Sequence, residues 1–154
     1  MTGQFGLAFA CLILGNVNQP VDPQRPDPVL DLRTHVERLT GPEPIDCGQH
    51  RLTPAGRSLV PADEEALQRS LSCATDAANA RRPFWTFKQN QGIDSWIAQG
   101  LLGTEEGTVY RFSFDSAPCG GPGCPSRFLV EPCESPAVSS GPSHVGAEFN
   151  CNRS

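Results

Sequence analysis

The sequence predicts an α+β fold: one main helix packed on a roughly four-stranded antiparallel meander sheet, stapled by disulfides. Three observations predict it. Thr108 to Asp115 alternates strictly, with Tyr110, Phe112 and Phe114 on one side and Arg111, Ser113 and Asp115 on the other; this is the period of a strand with one buried face. Ala62 to Arg82 contains neither Gly nor Pro, opens on Asp63, Glu64 and Glu65, and ends on Arg81 and Arg82, the charge order that suits a helix dipole. Six of the seven cysteines, at 47, 73, 119, 124, 133 and 151, form an even set within one region, the pattern of a disulfide framework in an exported protein.

The helix over 62–82 places Leu67, Leu71, Ala74 and Ala78 in one stripe, flanked by Ala66, Ser70 and Ala77, so its alanine-rich half can approach a sheet closely. Pro83 ends it. Four strands are expected next, over 84–89, 94–102, 108–115 and 127–133, with connections short enough for an antiparallel meander. Leu67, Leu71, Ala74, Trp85, Phe87, Trp96, Tyr110, Phe112, Phe114 and Phe128 form the expected core. Gln49 to Leu59 has weak strand character, broken by Pro54 and Gly56, and the Ser/Gly/Pro-rich tail from Glu134 to Glu148 reads as irregular.

Upstream, residues 1–17 read as a signal-like or anchor segment. The apolar run Phe5 to Gly15 is too short to span a bilayer and has the length of a signal-peptide core. Met1 to Gln4 carries no Lys or Arg, and Ala8-Phe9-Ala10-Cys11 resembles a lipobox, which makes Cys11 a lipidation candidate. Residues 18–43 read as a Pro-rich spacer with a short amphipathic helix, Val29, Leu32, Val36 and Leu39 recurring at helical spacing. Asp27 suits its N-cap, Pro28 its first position and Gly41 the residue after its end. Docking on the domain and partner binding are both open to this helix. Residues 44–154 then form a single disulfide-stapled domain.

Each segment end proposes its own disulfide. Cys47 opens the domain just before the helix that carries Cys73. Cys119 and Cys124 bracket four residues rich in Gly, which permits a short ring. Cys133 ends the last strand and Cys151 ends an otherwise unanchored tail. The pairs expected are Cys47–Cys73, Cys119–Cys124 and Cys133–Cys151, with Cys11 left over. The alternative use of these thiols is a zinc site built from Cys119, Cys124, Cys133 and Cys151.

Little else points to chemistry. With a net charge of -5 and one lysine, Lys88, against eleven arginines, the chain has no basic stripe interleaved with aromatics, and nucleic acid is not an expected partner. No Gly-x-Ser-x-Gly, Walker loop or His-Glu-x-x-His is present. His35, His50 and His144 lie in unrelated segments and are expected on the solvated surface. Asp94-Ser95 and Asp115-Ser116 sit at turns, where such side chains bond the local backbone. No catalytic residue, metal or cofactor is expected.

The run Asp46-Cys47-Gly48, Cys73-Ala74, Gln91-Gly92-Ile93-Asp94-Ser95, then Tyr110 to Gly121 and the terminal pair of cysteines resembles small cysteine-rich exported proteins and lipoproteins of GC-rich bacteria, a type with no assigned activity. The resemblance spans about residues 44 to 151. It implies a periplasmic or surface α+β domain, and brings no ligand or catalytic residue with it. The function expected is therefore a non-enzymatic binding or structural role outside the cytoplasm, toward a protein or small ligand, with any membrane anchoring confined to the N-terminus. The alternatives are an intracellular zinc module and a small secreted hydrolase whose site is assembled across loops.

Overall fold

The computed structural model describes residues 27–55, 58–121, 123–140 and 146–152. The signal-like segment with Cys11, most of the Pro-rich spacer, and His144 lie outside these residues. The described chain runs α1 (Pro28–Thr40), β1 (Ile45–His50), β2 (Thr53–Ala55), β3 (Ser58–Val60), α2 (Glu64–Asn79), β4 (Phe84–Asn90), β5 (Ile97–Gly103), β6 (Val109–Asp115), β7 (Arg127–Pro132), β8 (Ser135–Ser140) and β9 (Ala147–Asn152). It is an α+β fold, with two corrections to its expected form. The sheet is mixed and five-stranded, in the order β1-β4-β5-β6-β7, and there are two helices, not one main helix.

β4 to β7 form the expected antiparallel series. β1 adds a fifth strand parallel to β4. A parallel pair needs a crossover, and the chain between the two strands supplies it as the small β2–β3 hairpin followed by α2. β1 carries a bulge between Asp46 and Gln49, where Gly48 takes φ +130°; a side chain there would also strike Ser70 Oγ. The bulge hides the strand from a period-two reading.

Both helices start as their sequences dictate. The Asp27 carboxylate accepts Val29 N–H at 2.8 Å, and the Asp63 carboxylate accepts Ala66 N–H at 2.7 Å. Gly41, at φ +83°, donates its N–H to Glu37 O and closes α1. α2 ends at Asn79, earlier than expected, and Arg81 and Arg82 lie beyond it, with Arg81 at φ +51°. Its buried stripe is Leu67, Ser70, Ala74 and Ala77, so Leu71 and Ala78 are only partly buried.

The sheet has an apolar layer on each side. Leu32 and Val36 of α1 are fully buried with Trp85, Phe87, Ala98, Leu102, Phe112 and Phe114, against Val29, Trp96, Tyr110 and Phe128. Of the two uses open to the helix of the 18–43 segment, docking is the one observed: Leu32 and Val36 pack on the sheet. On the opposite face α2 covers Phe84 and Leu101, together with Phe149. That layer is completed by β8 and β9, an antiparallel hairpin where the tail was expected to be irregular. Phe149 supplies its apolar anchor, Val138 pairs with it across the hairpin, and Cys133–Cys151 ties β9 to the end of β7. The other disulfides join Cys47 of β1 to Cys73 of α2, and Cys119 to Cys124 within the β6–β7 loop.

The close packing shows at Gly100 in β5. A Cβ there would fall 2.0 Å from Thr86 O and 2.7 Å from the Phe112 ring. Gly100→Ala is therefore expected to destabilise the fold by at least about 1–3 kcal/mol, the usual cost of overpacking. Urea denaturation of the oxidised protein measures it; a loss below a few tenths of a kcal/mol would show the strands to be farther apart.

Candidate functional site: the polar row and the open face of the sheet

Register brings one residue from each of the five strands into line. His50 of β1 pairs with Lys88 of β4, Lys88 with Gln99 of β5, Gln99 with Ser113 of β6, and Ser113 with Leu129 of β7. Residues aligned across neighbouring strands share a face, so this is a row, polar except at its outer end, on the side that α2 and the β8–β9 hairpin cover. The cover is partial. α2 packs over β1, β4 and β5, the hairpin reaches β5 and β6, and β7 is left open.

At the covered end, Lys88 is 1 % exposed, and its Nζ donates to Ala147 O in β9 at 2.7 Å. Burial pushes the ammonium's pKa down, and nearby Glu148 opposes that shift. The chain's single lysine thus lies inside the domain, against the hairpin. Nothing in its local sequence marks it. The fold alone buries it, α2 packing over β4 and Ala147 of β9 accepting from its Nζ.

His50 and Ser70 share a hydrogen bond of 2.7 Å between Nε2 and Oγ. A serine beside an imidazole is the starting geometry for nucleophilic catalysis. Ser70 is 4 % exposed, however, and packs under the Gly48 bulge, so a substrate has no approach to its hydroxyl. The bond fastens β1 to α2 beside Cys47–Cys73. His50 is half-buried, contrary to the solvated position expected. Burial lowers its pKa below the ordinary 6.5, Arg69 adds to the lowering, and Asp63 and Asp46 oppose it. His35 is also not free in solvent: it stacks on Phe128 with ring centroids 5.1 Å apart and lies 3.7 Å from Asp31.

At the open end, β5, β6 and β7 line a shallow concavity of about 250 Å³ with Gln99, Arg111, Ser113, Leu129 and Glu131. Arg111 Nε donates to Glu131 Oε1 at 2.7 Å across the β6–β7 pair. Leu129 is 55 % exposed beside them. The face offers two neutral hydrogen-bonding side chains, an ion pair and an apolar side chain. That set can hydrogen-bond, ion-pair and make apolar contact with a ligand. Beside the Ser113 hydroxyl, the lining residues include no imidazole and no carboxylate base other than Glu131, which is engaged by Arg111. The alternation of the strand made Arg111 and Ser113 legible in the sequence; Gln99, Leu129 and Glu131 join them only through register.

The Asp115-Ser116 pair divides its roles. Asp115 accepts Ala117 N–H within its own turn, as expected, whereas Ser116 Oγ accepts Trp96 N–H and so ties the end of β6 to the segment just before β5. Cys119, Cys124, Cys133 and Cys151 do not converge on a zinc centre but form two separate disulfides. Among the described residues no group of three His, Cys, Asp or Glu side chains is placed to hold a metal. No described helix is long and apolar enough to cross a membrane.

The chain matches no family model, no curated protein and no solved structure.

The His50 pKa carries a sign. A folded-state value below the unfolded one means that the folded state prefers the neutral ring, so this contribution to stability is fully present above about pH 6.5 and is lost as pH falls below it. The stability difference between the native chain and His50→Gln is expected to shrink on going from pH 8 to about pH 5. Urea titrations at each pH give that difference, and an increase toward low pH would contradict the assignment.

Proposed function

We propose that the chain is an exported, disulfide-stapled domain of the bacterial envelope or secreted space, non-enzymatic, that binds a protein or small ligand through the open face of β5, β6 and β7. The observation that carries the reading is the set of three disulfides, which join six of the seven cysteines. Such sets persist in oxidising compartments and are rare in the cytosol. The signal-like run before Gly15 and the resemblance to exported cysteine-rich proteins argue the same way. The binding role rests on the concavity lined by Gln99, Arg111, Ser113, Leu129 and Glu131, and on the inaccessibility of the Ser70 hydroxyl, the best-placed nucleophile among the described residues.

Purification from the native host without reductant tests this reading. The protein is expected in an extracytoplasmic fraction, with a mass about six daltons below that of the reduced chain. Six free thiols in a cytoplasmic fraction would overturn it.

A further inference from the structure

β7 ends the sheet, and among the described residues β6 is its one strand partner. Its outer side is exposed, with Leu129 and Val130 as large apolar groups in solvent. An open edge of this kind is a template for another strand. Its chemistry specifies which strand. We propose that β7 pairs antiparallel with β7 of a second copy of this chain, about a two-fold axis through Leu129.

Backbone direction supports that register. Cys133 N–H donates to Val109 O at 2.9 Å, in the pair next to Tyr110 and Pro132. Alternation along the ladder then turns the backbone groups of Arg127, Leu129 and Glu131 toward β6 and those of Phe128, Val130 and Pro132 outward. Pro132 has no N–H, so Phe128 and Val130 carry the outward donors. With the axis at Leu129, Phe128 of each copy stands opposite Val130 of the other, and each such pair exchanges both of its hydrogen bonds. Shifting the register by one residue sets outward groups against inward ones.

Charge supports the same register. Arg127 of one copy falls opposite Glu131 of the other. Within each copy Arg127 stands opposite Asp115 in the register, and Arg111 opposite Glu131, with which it forms an ion pair. The row across the junction is then Arg111, Glu131, Arg127 of the second copy and Asp115 of the second copy, alternating in sign throughout. Moving the axis to Phe128 or Val130 sets Arg127 or Glu131 against Leu129 and loses this match. Leu129 covers its own counterpart at the axis, and the two concavities join into one groove across the dimer. A contact of five residues a side sits at the low end of interface size, so the dimer is weak and concentration-dependent.

Sedimentation of the oxidised full-length chain from low micromolar to millimolar concentration tests the proposal. A discrete dimer is expected. Leu129→Lys places like charges at the axis and should weaken self-association about tenfold or more. Val130→Pro removes an outward donor that bonds nothing in β6, and should do the same. In the unaltered chain, amide exchange at Phe128 and Val130 should slow as concentration rises. Four outcomes would overturn the proposal: a monomer throughout, a dimer that survives both substitutions, no concentration dependence at those two amides, or a monomer that instead captures an extended peptide. None of them bears on the compartment, so failure here leaves the export reading standing.

Discussion

The structure depends on β4 being buried on both faces. Phe84, Trp85, Thr86, Phe87 and Lys88 are all shielded from water. Trp85 and Phe87 belong to the layer under α1, while Phe84 belongs to the layer under α2 and the β8–β9 hairpin. An antiparallel sheet can leave one face wet; a strand reading Phe-Trp-Thr-Phe-Lys cannot. Two separate covers are required, and neither is large. α1 has thirteen residues, marginal as an isolated helix. A lone two-stranded hairpin is marginal as well. The covalent ties fall where the cover needs them: Cys47–Cys73 fixes α2 to the parallel edge strand, and Cys133–Cys151 fixes the hairpin to the end of β7. Bonds of this loop length stabilise chiefly by restricting the unfolded chain, by about 3 kcal/mol each.

How much of this was legible in the sequence follows from range. α1 and α2 announced themselves through caps within four residues of their starts, and β6 through alternation over eight residues. β1 did not. Its pairing with β4 is set by the crossover, and its bulge at Gly48 breaks the alternation that would mark a strand. The β8–β9 hairpin was hidden by a Ser-rich composition, because its strands are specified by each other and by Phe149 beneath them. The cysteines of the framework could be read from segment ends alone. The polar row could not: His50, Lys88, Gln99 and Ser113 are spread over the chain, and sheet register alone aligns them.

The same arrangement explains where the molecule is open. α1 crosses its face as far as β7, where His35 stacks on Phe128. On the other face α2 and the hairpin reach β6 and leave β7 uncovered. Natural sheets blunt such an edge with charges, proline or a covering element. β7 has Arg127, Glu131 and Pro132, yet keeps Leu129 and Val130 in solvent between them. The charges and the proline thus bound the apolar stretch and leave it open.

Native-state amide hydrogen exchange of the oxidised protein, followed through low denaturant, tests most directly whether the doubly covered strand is what the fold depends on. The amides of Phe84 to Lys88 are predicted to exchange only through global unfolding, with the denaturant dependence of the whole domain. Exchange of those amides through local opening, at the rates of the outer edge, would contradict the account.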